Sequence, residues 1–583
     1  MGKSAFKLTQ SEVAQNVEKL KGFMAKEGLE AFYVSSFDPY LNEYVPMENC
    51  HRFYFTNFSG SVAEVLVPLK GRVKLYIDGR YWEQADIQVD ANVVEVVKVR
   101  ANKGLGTELL EDLEKLAPKK MGYEGDRTSL KFFQELEKRC PLHGYFAQEL
   151  STIVDFAKMP ELAPIKHIPK EFRGSDTKQK LERAVKSSKH AYFVSAIDSL
   201  AWITNSRGYH LPNLSSFLGK ALATHDKVFV FVDKSTPLDD SVKENTACEF
   251  FQMEPEKVEA KLQEIQDQYG LQSVDIDPGM LNVLDFNMLN KVFGSERLAE
   301  SSGGLVEFHS IKDPEELAHM EDGFRRADKA IYNTIKWVKE SLKAGEKVSE
   351  LDLYNQTTIK YQEQGAVEQS FGTIAGAGAN GSIIHYSEPK DDVILKEDDM
   401  VLLDSGGYFE GGFATDTTRT FMASDKDGND EFKKIYTLVL KGTLNCQSSI
   451  FPEGTPGKVV DGFARLPLYR AGYDFRHGTG HGVGIHVHEG GARISPASDV
   501  PMKEGQVVSI EPGIYVPGFG GVRLENIAYV EKHPEHEGYL RFRPLVYIGF
   551  EPALIDHNLL NDDERMWLNE YEAECSRRGT SFQ

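Results

Sequence analysis

Cysteine is scarce in this sequence. The five cysteines are Cys50, Cys140, Cys248, Cys446 and Cys575, and no two of them form a C-x-x-C pair. An odd number of widely separated cysteines excludes a disulfide framework and a thiolate zinc site. We therefore expect reduced cysteines that lie in the core or on the surface.

Long apolar runs are also missing. No stretch reaches the ~18 consecutive apolar residues that a membrane-spanning helix needs. Residues 1–7 lack the apolar segment of a signal peptide, and Phe6 stands where a myristoylation motif has Ser or Thr. The sequence therefore predicts a cytoplasmic protein with no membrane partner.

Positive charge is in deficit. There are 67 Lys and Arg against 89 Asp and Glu, which gives a net charge of −22. Nucleic acids are bound by clustered Lys and Arg that neutralise phosphates, so this balance argues against a nucleic-acid partner. It also disfavours an anionic membrane. We interpret the acidity as a property that keeps a large protein in solution.

The chain is long, and part of it is repeated. Its 583 residues exceed one hydrophobic core, so about two to four domains are expected. Residues 31–40 resemble residues 191–200. Each copy has the same order of features, namely a helical stretch (11–26 or 176–189), the similar segment, an aromatic strand (53–57 or 202–205) and an apolar strand ending in Asp (74–78 or 228–233). This shared order predicts two duplicated α/β domains.

A helix start separates the repeats from the rest of the chain. Asp313 fits an N-cap, Pro314 the first helical position and Glu316 the end of a capping box. Helices are predicted from there to about residue 342 and over 348–364, then a β-rich half and a last helix over 561–575. The expected fold class is α/β (α+β). The expected domains are 1–155, 156–310 and 311–583, the last with an extension over 537–583.

Four carboxylates are placed where two pairs of strands would bring them together. Asp404 ends an apolar run, and Asp416 lies in the β-branched strand that follows a Gly-rich turn. Glu511 ends another apolar run, and Glu525 lies in the strand that follows a Pro- and Gly-rich turn. Because pairing of strands brings distant side chains together, we expect these four carboxylates to converge.

Such a cluster favours a metal centre. Without a cation the carboxylates would repel one another and their pKa values would rise. Residues 477–490, between the two pairs, are rich in Gly and His and add an imidazole ligand. Oxygen ligands with one imidazole suit Mn²⁺, Co²⁺ or Zn²⁺. Two such ions ~3.5–4 Å apart would activate a bridging water near neutral pH, so the pattern predicts a hydrolase.

Each of these residues has a plainer interpretation when it is taken alone. An Asp at a strand end is usually a turn or cap residue, Glu-Pro-Gly is usually a turn, and a His in a Gly-rich loop is usually exposed. As an ordered set of five with His-Gly-Thr-Gly-His between the pairs, the residues favour metal binding.

In this order the motifs resemble those of the pita-bread metallopeptidases, a family that includes methionine aminopeptidase, prolidase and aminopeptidase P. The resemblance implies a pita-bread catalytic domain in which Asp416 and Glu525 bridge two metal ions. It implies that Asp404 holds one metal, and that His481 and Glu511 hold the other. Two divalent ions are the implied cofactors, Mn²⁺ before Zn²⁺ or Co²⁺.

Three further histidines match the aminopeptidase P pattern, namely His385, His477 and His488. The resemblance implies that they line the substrate site and stabilise the tetrahedral intermediate. An imidazole beside the attacked carbonyl can donate to the developing oxyanion. For His486, which the family pattern does not mark, we expect a structural role.

Two charged residues complete the predicted catalytic set. Glu511 would carry a proton to the leaving prolyl nitrogen. Arg523, two residues before Glu525 and therefore on the same strand face, is expected to orient a ligand, and we count it among the substrate-binding residues.

The resemblance covers nearly the whole chain. Residues 42–46, 78–81 and 201–208 resemble the two N-terminal domains of the three-domain, cytosolic-type aminopeptidase P. Residues 540–571 resemble its C-terminal extension, which accompanies dimerisation in the family, so a homodimer is implied. Arg80 is a candidate for contact with the distal part of the substrate, with a structural role as the alternative.

One departure from the family lies between Asp404 and Asp416, which are about one residue further apart than usual. An extra residue inside a strand would turn one Asp to the wrong face. We expect the turn at 411–413 to absorb it as a hairpin loop or bulge.

The implied function is release of the N-terminal residue from peptides with proline in the second position, by attack of a metal-bridged hydroxide. Bonds to proline are tertiary amides in a restricted backbone, and general peptidases fit them badly. Prolidase, which acts on dipeptides and usually has one N-terminal domain, is an alternative. A non-enzymatic binding protein on the same fold is another, although such proteins lose ligands and none is missing here.

Overall fold

The computed structural model describes residues 6–100, 103–157 and 161–583. Residues 1–5, part of the segment that we expect not to be a signal peptide, lie outside this description. The chain divides into two compact units. One comprises Met1–Ile168 and Ser175–Phe308, and the other comprises Pro169–Gly174 and His309–Gln583. Within the described ranges, no helix is both long and apolar enough to cross a membrane.

The first unit begins with a six-stranded sheet and its helices. The strands are β1 Ala31–Val34, β2 Glu64–Pro68, β3 Val73–Ile77, β4 Val94–Lys98, β5 Met121–Glu124 and β6 Leu142–Tyr145. The helices are α1 Gln10–Glu27, α2 His51–Thr56, α3 Trp82–Gln88, α4 Leu105–Leu116, α5 Leu130–Glu137 and α6 Ala147–Leu150. The strand order is β4-β3-β2-β1-β5-β6, with β1, β2 and β3 antiparallel and the outer neighbours parallel.

The same sheet occurs a second time. Its strands and a small ladder are β7 Lys166–His167, β8 His190–Val194, β9 Ser206–Arg207, β10 Lys220–Ala223, β11 Val228–Asp233, β12 Cys248–Met253, β13 Ser273–Ile276 and β14 Leu298–Glu300. The helices are α7 Thr177–Ala184, α8 Ile197–Thr204, α9 Val258–Tyr269, α10 Val283–Phe293 and α11 Val306–His309. The order β12-β11-β10-β8-β13-β14 and its strand directions repeat those of the first sheet. The predicted duplication is therefore confirmed, whereas the boundary at 155–156 stays a prediction.

Alternation along the strands explains why helices cover both faces of these sheets. Phe32 in β1 packs in one core with Leu20 of α1, and its neighbour Tyr33 packs in the opposite core with Leu109 of α4. Successive side chains in a strand point to opposite faces, so a strand that is apolar throughout needs cover on both sides.

The two aromatic stretches are helices, and our prediction of strands was wrong. Residues 53–57 lie in and just after α2, and residues 202–205 lie in and just after α8. Both helices end at an asparagine in the left-handed conformation, Asn57 (φ 57°) and Asn205 (φ 50°), which is a common helix C-cap. All residues of α2 and α8 are buried, so packing outweighs the strand preference of aromatic side chains.

The second unit opens on the predicted helix start. The Asp313 N–H donates to the Glu316 carboxylate (3.0 Å), as a capping box requires. The helices of this unit are α12 Pro314–Lys343, α13 Glu350–Glu363, α14 Asp430–Gln447, α15 Gly457–Arg470 and α16 Asp562–Arg578. The three helices predicted here thus lie within a few residues of their expected limits.

The strands of the second unit form several small antiparallel sheets. They are β15 Glu368–Gln369, β16 Ile374–Ala377, β17 Met400–Ser405, β18 Gly407–Tyr408, β19 Thr417–Met422, β20 Ile450–Pro452, β21 Gly480–Gly482, β22 Glu489–Ile494, β23 Val507–Ile510, β24 Gly513–Val516, β25 Gly520–Arg523, β26 Asn526–Lys532 and β27 Tyr539–Pro544. The main sheets have the orders β16-β17-β19 and β20-β27-β26-β23-β21-β22, with β24-β25 and β15-β18 as separate pairs.

A buried arginine ties the C-terminal extension to these strands. Arg419 in β19, 1% exposed, donates to the carbonyls of Thr418 (2.9 Å) and Glu525 (2.6 Å). It also donates to the Ile548 carbonyl (2.8 Å) and the Tyr571 hydroxyl (2.9 Å), which belong to the extension. One guanidinium therefore satisfies buried acceptors from three parts of the chain.

Arg419→Met should destabilise the second unit strongly. The apolar side chain fills the same space but leaves several buried carbonyls without a donor, at a cost of about 3–5 kcal/mol. We expect the calorimetric Tm of this unit to fall by about 5–10 °C. Arg577→Met, at a side chain that is 75% exposed, is the matched control and should unfold like the wild type. Equal Tm values for both variants would contradict this account.

Candidate metal centre

The first two predicted ligands lie on one face of a strand pair. β17 and β19 are antiparallel, and Asp404 is opposite Thr418. We expected Asp416 inside the second strand, but it precedes β19 by one residue. It is two positions before Thr418. Because residues two apart share a face, Asp404, Asp416 and Thr418 point to the same side.

The turn between these strands contains residues 411–413, where we expect the extra residue. Gly411 (φ 89°) and Gly412 (φ 71°) both adopt the left-handed conformation that favours glycine. Tyr408 and Ala414 form a bridge across the turn. Pairing of β17 with β19 then runs without a register shift from Met400–Met422 to Ser405–Thr417.

The two glutamates face each other at the interruption of a long hairpin. Ile510 is opposite Asn526 in the β23–β26 pair, and Gly513 is opposite Arg523 in the β24–β25 pair. The register is the same in both pairs. We predicted that Glu525 lies inside a continuous strand, and this was wrong. It lies between β25 and β26, opposite Glu511, where the hairpin passes from one sheet to another. The break frees both carboxylates from the regular alternation of the strands.

His481 lies in β21, beside a bulge at Gly482. Its backbone N–H donates to the Ser509 hydroxyl (3.0 Å). Its Nε2 lies 3.4 Å from a Glu511 oxygen and 3.6 Å from an Asp416 oxygen. The imidazole thus contacts one carboxylate from each strand pair.

The side chains at the centre fit divalent cations. Single ligand atoms of Asp416, His481 and Glu525 lie within 4.8 Å of one another. Asp404 Oδ1 and Glu525 Oε1 are buried, and neither has a hydrogen-bond partner among the described residues. A buried, unpaired carboxylate oxygen is costly unless a cation compensates it. The donor set, oxygens with one imidazole, suits Mn²⁺, Co²⁺ or Zn²⁺.

The pKa values of these carboxylates also reflect the cost of burying several negative charges together. Burial, followed by the charges of neighbouring carboxylates, raises the pKa of Asp416 and of Glu525 well above the ordinary value. Burial also raises the pKa of Glu511, to about 7, although Arg523 opposes the shift. Raised carboxylate pKa values are expected where like charges meet in a dry site.

Arg523 orients two of the predicted ligands. Its guanidinium donates to Asp404 Oδ2 (2.6 Å) and to the Thr418 hydroxyl (3.0 Å). The Thr418 hydroxyl donates in turn to Glu525 (2.9 Å). This agrees with the orienting role predicted for Arg523, and Thr418 is a residue that the sequence analysis did not single out.

His477 and His488, two of the predicted substrate histidines, lie near Glu511, and His385 is adjacent in sequence to a residue that contacts Arg523. The ring centroids of His481 and His488 are 4.4 Å apart. The charge of His488 is one of the influences that lower the pKa of Glu511 against the effect of burial. His477 Nδ1 lies 2.7 Å from the Gly478 carbonyl, so this nitrogen carries the proton. His385 follows Ile384, whose carbonyl accepts from Arg523 (3.3 Å). Their catalytic roles stay predictions.

A tyrosine that we did not predict connects this region. The Tyr515 hydroxyl lies 2.9 Å from His477 Nε2, and in the neutral imidazole with its proton on Nδ1 this nitrogen accepts a hydrogen bond from the hydroxyl. The same hydroxyl accepts from Arg523 (2.9 Å). Tyr515 follows Glu511 by four residues, but only the hairpin fold places it there.

Two predicted residues lie outside the cluster. Arg80 belongs to the first unit, where its Nε and Nη2 donate to the Asp78 carboxylate (2.9 and 2.8 Å). Its contact with substrate stays a prediction. His486 lies in the loop before His488, and its carbonyl accepts from the Gly484 N–H (3.0 Å).

Known families match consecutive parts of the chain. Residues 318–532 match the profile of metallopeptidase family M24. The creatinase/prolidase N-terminal domain matches twice, over residues 16–154 and 155–316. Residues 538–580 match the C-terminal region of peptidase M24. Along the chain, the matched families come in the same order as the predicted parts of the fold, which are two duplicated N-terminal domains, a catalytic domain and a C-terminal extension.

Two known proteins match nearly the whole chain, and a third matches about two thirds of it. A probable Xaa-Pro aminopeptidase P of Laccaria bicolor is 31% identical, over 96% of this chain and 89% of the relative. The fold is that of the X-prolyl aminopeptidase of Caenorhabditis elegans, described as a cytosolic enzyme with a di-nuclear active site (TM-score 0.87, 24% identity, 98% of this chain and 96% of that one). The prolidase of Pyrococcus horikoshii matches 99% of its own chain but 65% of this one (TM-score 0.52, 25% identity). Because the similarity to the L. bicolor protein runs through both units and through the strands that carry the carboxylate cluster, this chain belongs to metallopeptidase family M24.

Proposed function

We propose that this protein is a metal-dependent aminopeptidase that releases the N-terminal residue from peptides with proline in the second position. The observation that carries the proposal is the cluster of buried Asp416 and Glu525 with half-buried His481, together with unpaired oxygens on Asp404 and Glu525. The names of relatives that match both units support the proline preference.

The proposed cofactors are two divalent metal ions, with Mn²⁺ preferred over Zn²⁺ and Co²⁺. Asp404, Asp416, His481, Glu511 and Glu525 would hold them. When bound, such ions polarise a carbonyl and make water acidic enough to act as a nucleophile near neutral pH. Arg523 keeps the Asp404 carboxylate in place through Oδ2 and leaves Oδ1 for a ligand contact.

Glu511 is the proposed proton carrier. One of its oxygens lies 3.4 Å from His481 Nε2, so its carboxylate is placed at the reacting centre and can accept a proton and pass it on. The leaving group is a prolyl nitrogen, which must be protonated before it can depart.

The histidines are proposed to hold the substrate and its reacting carbonyl. His488, next to His481 and Glu511, can donate to the oxygen that gains charge during attack. His477 is held by Tyr515 and by the Gly478 carbonyl, which fixes its tautomer and orientation. His385 lies beside the Arg523 network and would complete the binding site.

Prolidase is the alternative function, since it would use the same chemistry. The presence of two N-terminal domains argues against this alternative. The P. horikoshii prolidase is matched over 99% of its own length but covers only 65% of this chain. A homodimer and a cytoplasmic location are also proposed. The C-terminal region matched over residues 538–580 and the cytosolic description of the C. elegans enzyme support them.

The first prediction concerns substrates. We expect Mn²⁺-reloaded protein to release the first residue from Arg-Pro-Pro and to leave Ala-Ala-Ala intact, because only the former has proline second. Metal-stripped protein is the control and should be inactive until Mn²⁺ is added. Mass spectrometry of the released residue measures both.

Other outcomes would point elsewhere. Cleavage of Ala-Pro without cleavage of Arg-Pro-Pro would indicate a prolidase. Absence of cleavage of all three peptides by protein that binds no metal would eliminate the enzyme and favour a binding protein.

The second prediction concerns His481. His481→Ala removes the imidazole that contacts both carboxylate pairs, so metal content per chain and activity should fall together. We expect a loss of kcat/KM of at least about 100-fold, since even partners of metal ligands cost 10–100-fold. His486→Ala, in the same segment, should keep both. Activity that survives metal loss in His481→Ala would show that the ligand assignment is wrong.

The third prediction concerns His488. His488→Ala should keep the metal content of the wild type but reduce kcat by about 10²–10³-fold, the usual cost of removing one oxyanion donor. Elemental analysis and steady-state kinetics on Arg-Pro-Pro separate the two effects. Unchanged kcat would remove His488 from the catalytic set.

A further inference from the structure

The loop that carries His488 lacks regular secondary structure but is anchored on several sides. It runs over residues 483–488, between β21 and β22. The Val483 N–H donates to the Val507 carbonyl (2.9 Å), and the Ala414 N–H donates to the Gly484 carbonyl (2.8 Å). Glu489, directly after His488, is opposite Gly482 in the ladder.

A buried charge cluster lies at the end of this loop. The Glu489 carboxylate accepts from the Lys312 ammonium and from His309 Nδ1 (3.1 Å). Lys312 also donates to the His309 carbonyl (2.8 Å). All three side chains are at most 2% exposed. Burial by itself would raise the pKa of Glu489, but Lys312 and His309 outweigh it and lower the pKa to about 2.

The Glu489 carboxylate packs directly against the backbone of the loop. A Cβ at Gly484 would lie 1.8 Å from Glu489 Oε1, so any side chain at this position would have to displace the carboxylate. The carboxylate therefore occupies the space next to Gly484, while Lys312 and His309 fix it from the other side. Since glycines at 482, 484, 490 and 491 leave this segment intrinsically flexible, an anchor is needed to define its path.

We propose that His309, Lys312 and Glu489 are positioning residues that set the place of His488 beside His481 and Glu511. This inference rests on the proposed function. The cluster holds the residue next to His488 and the backbone of its loop, and none of its three members belongs to the proposed metal ligands or substrate-binding residues. A buried ion pair is weak evidence for stability, since an apolar replacement is often neutral, so its placement under this loop is the more informative property.

Lys312→Met tests the proposal in the full-length, metal-loaded protein. We expect kcat on Arg-Pro-Pro to fall about 10–100-fold, because displacement of a catalytic group by about 1 Å has effects of this size. Metal content should stay at the wild-type level. In a His488→Ala background, Lys312→Met should have no further effect on kcat, because the two substitutions act through the same imidazole. An equal fall in both backgrounds would overturn the proposal.

Loss of stability is separated from loss of position by two further variants. Lys441→Met breaks a comparable pair with Glu564 (2.5 Å) between α14 and α16 and should leave kcat unchanged. Lys312→Met combined with Glu489→Gln removes the unpaired buried charge, so Tm should recover towards the wild type while kcat stays low. Recovery of kcat together with Tm would show that the cluster only stabilises the fold.

Hydrogen exchange gives a readout that does not depend on activity. Amides of residues 483–490 should exchange faster in Lys312→Met than in the wild type, and Lys441→Met should leave them unchanged. Unchanged exchange in Lys312→Met would overturn the anchoring role. If the wild type failed to cleave Xaa-Pro peptides, the proposed function would fail, and the exchange measurement would still decide whether the cluster holds the loop.

Discussion

Repulsion among four carboxylates in one buried site is the constraint on which the second unit depends. Two come from the β17–β19 pair and two from the interrupted hairpin, and the protein places one guanidinium, that of Arg523, among them. One positive charge cannot balance four negative ones in a dry environment, which is why the pKa values of Asp416 and Glu525 rise. Added cations would relieve this repulsion, and for this reason the cluster favours metal binding.

The carboxylates come together because three of them lie at the end of a strand or at a break between strands. Asp416 precedes β19, while Glu511 and Glu525 lie where the hairpin leaves one sheet for another. The two glutamates are free of the alternation that holds strand interiors to one face, whereas Asp416 still shares the face of Thr418. The Arg419 guanidinium donates to the Glu525 carbonyl and also to the Tyr571 hydroxyl, so it connects the backbone at Glu525 to the C-terminal extension. Extension and site are thus parts of one hydrogen-bonded structure.

The sequence predicted what local patterns determine, and missed what tertiary packing determines. Asp404, Asp416, His481, Glu511 and Glu525 stood out because each lies in a short motif, and the turn at Gly411 and Gly412 could be expected from its glycines. The aromatic stretches became helices because burial on every side outweighs strand preference. Lys312 gave no signal, since its partner Glu489 is 177 residues away.

The Gly-rich segment shows how surroundings assign different roles to neighbouring acids. Glu489 follows His488 in sequence and is buried, whereas Glu511 lies near His488 in space and has a side chain that is 18% exposed. Lys312 and His309 occupy the oxygens of Glu489 and lower its pKa to about 2, so it has no capacity left for a metal or a proton. Glu511 lacks such a cation of its own, and its pKa rises to about 7. The position of a lysine thus separates the anchor of the loop from the group that can carry a proton.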